Sequence, residues 1–135
     1  MQRSSAAEAP AGPRGPRSYY AGRISKQLDI SVDTSGSTVR VALRGELDVA
    51  SDRRLAETLA RLGDGSPGHV VIDLREVTLM DSSGLRWLIT AHALSQEEGF
   101  RLWIVRAPGA VERTLAATGM NGRLPMVDRP PDLGD

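Results

Sequence analysis

The sequence predicts an α/β layer sandwich: a mixed sheet, made of an antiparallel β-hairpin plus parallel strands, with helices packed mainly on one face. Apolar and polar residues alternate over residues 28–32 and 39–43, which is typical of two half-buried strands. The β-branched run at residues 70–72 predicts a buried strand. Segments with helical periodicity separate the later strands, so the crossovers between parallel strands should be right-handed.

Composition limits the possible functions. The chain has 135 residues, 40% hydrophobic and 25% charged, which suits one globular domain with a core. Its formal net charge is zero, so nothing favours direct contact with nucleic acid or an anionic membrane. There is no cysteine and there are only two histidines, so we expect neither a metal site nor a cofactor. No apolar stretch is long enough for a signal peptide or a membrane span, and we expect a cytoplasmic protein.

The first half of the chain should contain a tail, the hairpin and one helix. Residues 1–22 are rich in Ala, Pro, Gly, Ser and Arg and should form a disordered N-terminal tail, with the folded domain over residues 23–128. Residues 33–37 have the composition of a turn, and Gly45 should end the second strand. A helix is expected from Ser51, as its N-cap, to Leu62.

The second half should alternate strands and helices. We expect a strand over residues 69–74, a six-residue connection, a helix over 82–98, a strand over 100–105, a helix over 108–118 and a short strand over 124–127. Residues 129–135 begin with Arg-Pro-Pro and should form a C-terminal tail.

The most informative stretch is Met80-Asp81-Ser82-Ser83-Gly84-Leu85, between the buried strand and the next helix. Ligands bind at this carboxyl edge in open α/β sheets. The hexapeptide resembles the phospho-acceptor loop of STAS domains, specifically of bacterial anti-sigma-factor antagonists. Gly45-Glu46-Leu47-Asp48 resembles a second signature of that family, and the resemblance covers about residues 26–128.

The resemblance implies a STAS-type sandwich and a protein-binding switch. In that family the serine after the aspartate, here Ser82, is phosphorylated by the anti-sigma factor, which is itself a serine kinase; Ser83 is the runner-up. The unphosphorylated form binds the anti-sigma factor and frees a sigma factor, and a phosphoserine phosphatase would reverse the modification. We expect a monomer or weak dimer. The family also carries a further C-terminal helix, for which residues 128–135 leave too little chain.

The partner-binding surface should lie around the acceptor serine. Its expected members come from the two signatures and the start of the following helix: Glu46, Asp48, Asp81, Ser82, Ser83, Gly84, Arg86 and Trp87.

Most of these residues have a simpler explanation as well. Ser82 could be a plain helix cap, and Ser83 a capping or first-turn hydroxyl. Glu46 and Asp48 could form a solvated loop that also caps the first helix. Gly84 could serve tight packing of the helix on the sheet rather than the approach of a kinase. Trp87 is either buried in the domain or an exposed anchor for the partner.

Hydrolytic catalysis is not expected, because there is no G-x-S-x-G elbow and neither His69 nor His92 is placed to deprotonate Ser82. A phosphate on Ser82 should instead meet the positive end of the helix dipole and free N–H groups, so the domain should stay folded. Two rival functions remain open at this point. The chain could be a non-phosphorylated STAS subunit of a membrane assembly that transports lipids or anions, or a scaffold subunit of a stress-sensing complex.

Overall fold

The computed structural model of the chain describes residues 28–133. The tail predicted for residues 1–22 therefore lies outside the described residues, and its boundary stays a prediction. The described elements are β1 (Asp29–Ser35), β2 (Thr38–Leu47), α1 (Asp52–Leu62), β3 (His69–Met80), α2 (Ser82–Glu98), β4 (Arg101–Val105), α3 (Ala110–Thr118) and β5 (Met126–Val127).

The five strands of the described chain form one mixed sheet in the order β1-β2-β3-β4-β5. The pair β1–β2 is antiparallel, and each later pair is parallel. One hydrophobic core joins alternate side chains of the sheet to all three α-helices; fully buried examples are Ile72, Leu55, Leu88 and Leu115. Val71, on the opposite face of β3, is not part of that core. The predicted fold class is confirmed.

The hairpin turn is tighter than the composition of residues 33–37 predicts. Strand β1 continues to Ser35, which pairs with Thr38, and only Gly36 and Ser37 remain as the turn. Gly36 has a φ of 59°, which suits a two-residue hairpin turn. The prediction failed because hydrogen bonding along the ladder outweighs the weak strand propensity of Asp and Ser.

Two strands run further than expected, so the predictions that Gly45 ends a strand and that residues 75–80 form a connection are wrong. The register between β2 and β3 shifts twice, between Ala42 and Arg44 and between Gly45 and Glu46. Each shift places one extra residue in β3. The buried positions of β3 on the core side therefore fall at residues 70, 72, 74, 77 and 80, and a spacing of three hides the strand in the sequence.

The helices follow the predictions more closely. Helix α2 has the predicted bounds and ends at Gly99, whose φ of 88° is left-handed. Helix α1 begins at Asp52 after a short 3-10 turn at Val49–Ser51, and α3 begins two residues later than expected, at Ala110. Residues 128–133 contain no helix, as the sequence predicts.

Candidate functional site

The two signatures of the sequence meet at the carboxyl edge of the sheet. Leu47 at the end of β2 is the register partner of Met80 at the end of β3. The backbone N–H of Asp81 donates a hydrogen bond to the carbonyl of Leu47, at 3.1 Å. Both strand ends are therefore held beside the start of α2.

Asp81 is the N-cap of α2. Its Oδ1 accepts hydrogen bonds from the backbone N–H groups of Ser83, at 2.8 Å, and of Gly84, at 3.4 Å. Two of the first-turn donors that we expected to be free for a phosphate are thus already occupied, and that expectation is wrong for Ser83 and Gly84. The helix-cap explanation of Ser82 is also wrong, because the aspartate performs that role. Ser83 does not cap the helix either, but it lies in the first turn, as its other simple explanation predicts.

Ser82 is the first residue of α2 and is exposed, whereas Ser83 is half-buried. The Ser82 hydroxyl makes no hydrogen bond to any part of the chain between residues 28 and 133. A hydroxyl that is accessible and has no internal partner can be modified without breaking an internal contact. The Ser83 hydroxyl also has no hydrogen bond to residues 28–133, so exposure is what distinguishes the two serines.

Gly84 lets α2 approach the strand ends closely, as the packing explanation predicts. A Cβ built on Gly84 would lie 2.6 Å from Cγ of Met80 and 2.9 Å from Cβ of Leu47. Side chains cannot approach so closely, so any larger residue would push α2 away from the sheet. Gly84 is itself buried and acts on the surface through this packing.

Asp48 mainly stabilises the start of α1. Its Oδ1 accepts a hydrogen bond from the N–H of Ala50 at 3.1 Å. Ser51, expected to be the cap of α1, instead donates its hydroxyl to the Asp48 carbonyl at 3.0 Å and accepts from the Asp48 N–H at 3.3 Å. Asp48 therefore caps the 3-10 turn that leads into α1. Ser51 is the N-cap residue of α1, as predicted, but its side chain makes no capping hydrogen bond in that helix.

Glu46 differs from its neighbour Asp48. It is half-buried near the end of β2, and its register partner is Leu79. Its carboxylate has neither a hydrogen bond nor an ion pair with residues 28–133, and it is therefore available to a partner.

Trp87 is not an exposed anchor. Its side chain is 6% exposed, and its indole Nε1 donates a hydrogen bond to the carbonyl of Leu55 at 2.8 Å. The alternative that placed it on the surface is wrong, and Trp87 instead fixes α2 against α1. Beside it lies a groove of about 180 Å³ between the two helices, with Asp52, Ser83 and Arg86 in its lining.

Two exposed apolar residues at the same edge were missed. Val49 is 69% exposed in the turn after β2, and Leu79 is 46% exposed one residue before the end of β3. Single exposed apolar side chains are common, but two that flank the Ser82 loop suggest a contact surface. The only sequence signal was a leucine in a segment interpreted as a connection.

A surface ion pair lies on β3, away from the serine loop. Burial alone would raise the pKa of Asp73, but hydrogen bonds from Arg75 outweigh it and lower the pKa of that carboxyl. Their closest approach is 2.7 Å, from Nη2 of Arg75 to Oδ2 of Asp73. The same contact raises the pKa of the Arg75 guanidinium.

Neither a metal cluster nor a membrane span is found in the described chain. No group of three or more His, Asp or Glu side chains within residues 28–133 is arranged to hold a metal ion. Over the same range, every helix is too short or too polar to cross a bilayer.

Comparison with known proteins places this fold and edge in a family. A sequence profile described as "Mlab, STAS domain" matches residues 30–128, and the chain therefore belongs to the STAS-domain family. It is 30% identical over 94 residues to the anti-sigma-B factor antagonist of Staphylococcus aureus, covering 69% of this chain and 86% of that protein. Within the STAS domains it thus belongs to the anti-sigma-factor antagonists.

Solved structures agree with this placement. An anti-sigma factor antagonist from Mycobacterium paratuberculosis superposes with a TM-score of 0.69 and 25% identity, covering 78% of this chain and 92% of that one. The antagonist SpoIIAA in its unphosphorylated form gives a TM-score of 0.65 over 76% of this chain and 89% of its own. At 18% identity, that second likeness supports the fold alone.

Proposed function

We propose that this protein binds an anti-sigma factor with serine kinase activity, frees a sigma factor by doing so, and is switched off by phosphorylation of Ser82. The observation that carries the proposal is the exposed Ser82 hydroxyl without an internal partner, at the edge where both signatures meet. The relative from Staphylococcus aureus is an anti-sigma-B factor antagonist, which supports antagonism of an anti-sigma factor here. The site of action would be the cytoplasm, where a phosphoserine phosphatase would restore the active form.

The partner would bind around Ser82. Exposed apolar side chains at Val49 and Leu79 would provide buried contact area, and Glu46 offers an unpaired carboxylate. Ser82 would lie within this surface, with Arg86 one turn further along α2. Asp48 and Gly84 would shape the surface through capping and packing, because their own groups are engaged inside the domain.

Phosphorylation would act on the partner contact rather than on the fold. A phosphoserine adds about −1.5 to −2 charges at neutral pH. It would stand beside the exposed carboxylate of Asp81, so the surface would become strongly negative at its centre. Binding would remove water from that charge, and a partner without a matching cation could not compensate for the lost hydration. The free energy of binding would therefore become less favourable.

The test is a phosphorylation assay with site mapping. The purified chain is incubated with ATP and the serine-kinase anti-sigma factors of the same organism, one at a time, and the phosphosite is mapped by mass spectrometry. We expect phosphate on Ser82 in the wild type and in Ser83→Ala, and none in Ser82→Ala.

Phosphate on Ser83 alone would overturn the assignment of the acceptor. No phosphate with any of these kinases, while Ser82→Ala and the wild type bind none of them, would favour the non-phosphorylated transport subunit instead.

A further inference from the structure

The start of α2 leaves little positive charge for a phosphate on Ser82. The N–H groups of Ser83 and Gly84 are bonded to Asp81, and the carboxylate that bonds them is itself negative. Helix N-termini bind anions through free N–H groups, and here two of these groups are occupied. A phosphate on Ser82 would therefore gain more from a cation elsewhere in the domain than from the start of the helix.

Arg86 lies in the right place to supply it. It follows Ser82 by four residues on the same helix, and such pairs face the same side with about 5–6 Å between their Cβ atoms. Its side chain is exposed, and its guanidinium has no ion pair or hydrogen bond to residues 28–133. Arg75 and Arg106 differ in this respect, because both are already paired with carboxylates.

We propose that Arg86 is the internal counter-ion of phosphoserine 82. Guanidinium groups bind phosphate through two parallel N–H···O bonds, and an anion placed four residues before the cation has the favourable order along a helix. The pairing rests on the function proposed above and names a regulatory residue of that site. It would hold the phosphate against α2 and remove the free charge of Arg86 from the partner surface.

Two carboxylates oppose this pairing. Asp81 adjoins the phosphate directly, and Asp52 on α1 lines the same groove as Arg86. The described structure shows no ion pair between Arg86 and Asp52. A dianion one turn away attracts the guanidinium more strongly than a single carboxylate across the groove, so phosphorylation should draw Arg86 toward residue 82.

The experiment uses the full chain with phosphoserine installed at residue 82 during translation. The phosphate is titrated by phosphorus-31 NMR in the wild-type background and in Arg86→Gln. A nearby cation favours the dianion and lowers the titration midpoint, so removing it should raise the midpoint by about 0.2–0.7 pH unit. Arg86→Lys should restore most of the effect. Arg61→Gln is the matched control, since it removes one exposed arginine at the far end of α1.

The proposal is overturned if Arg86→Gln titrates like the wild type, or if Arg61→Gln raises the midpoint by the same amount. The titration needs no kinase, because phosphoserine is incorporated during translation. A failure of Ser82 as a kinase target would appear only in the phosphorylation assay, and a failure of the Arg86 pairing only in the titration.

Discussion

The first two strand–helix junctions at the carboxyl edge, β2–α1 and β3–α2, each combine an aspartate with a serine, yet the two serines are used differently. At the first junction, Ser51 is 4% exposed and its hydroxyl both donates to and accepts from the backbone of Asp48. At the second, Ser82 is exposed and its hydroxyl has no hydrogen bond to the described chain, although Asp81 caps its helix as Asp48 caps the first turn.

The difference comes from position relative to the aspartate. Ser51 stands three residues after Asp48 and folds back on it as a capping box. Ser82 stands one residue after Asp81, where the chain turns its side chain outward. The aspartate alone therefore caps the second helix, and the Ser82 hydroxyl is left without a role inside the domain.

The largest effect on stability should come from Gly84→Ala, which breaks the second junction. The new Cβ would overlap Leu47, whose Cβ cannot move without its backbone. Overpacking of this kind costs about 1–3 kcal/mol, and the better helix propensity of alanine returns at most about 1. We expect a lower melting temperature. Gly122→Ala, with open space around its Cβ, is the control and should melt like the wild type. Equal melting of both variants would contradict the close approach of α2.

Replacing each serine in turn sharpens the comparison. Ser51→Ala removes a buried hydroxyl and leaves the Asp48 N–H without its partner, which should cost about 0.5–2 kcal/mol. Ser82→Ala should change stability by less than about 0.5 kcal/mol. Urea denaturation of both variants measures the difference. A loss at Ser82 as large as that at Ser51 would show that its hydroxyl supports the fold.

The smallest effect concerns the ion pair on β3. Because the pKa of Asp73 is lowered in the folded state, its pairing with Arg75 stabilises the fold above the ordinary carboxyl pKa of about 3.9. This contribution is lost as the pH falls through the lowered value. Arg75→Gln should therefore lower the free energy of unfolding by at most about 1 kcal/mol at pH 7, since the pair is partly exposed. At a pH below the lowered pKa of Asp73, the substitution should leave the free energy of unfolding unchanged. Thermal melts of the wild type and the variant at pH 7 and in acid test this. A loss of stability that is the same at both pH values would contradict it.

Local signals predicted α2 and its serine loop from the sequence alone. The bounds of that helix follow from Asp81 before it, Gly99 after it and apolar periodicity between them, all of which act within a few residues. The hairpin and the strand–helix order were predictable for the same reason. Ser82 was identified as the candidate acceptor through its place after Asp81.

Features that depend on pairing between distant segments could not be predicted. The two register shifts exist only when β2 lies beside β3, and they turn Val77 toward the core. Trp87 could be assigned to the interior only once the carbonyl of Leu55 was known to face it. Asp and Ser are both favoured at helix N-caps, so residue type alone could not show that Asp81, rather than a serine, caps α2.

The most direct test of Ser82 as the switch measures binding and stability of Ser82→Asp on one preparation, with Ser82→Asn as the uncharged control of equal size. Asp81 already occupies the nearby N–H groups, so the added carboxylate should change stability by less than about 0.5 kcal/mol in a thermal melt. Calorimetric titration with the kinase partner should show at least about a tenfold loss of affinity, or about 1.4 kcal/mol, beyond that of Ser82→Asn. A folded Ser82→Asp that binds as tightly as the wild type would place Ser82 outside the interface. A loss of binding that tracks unfolding would show that the switch acts through the fold.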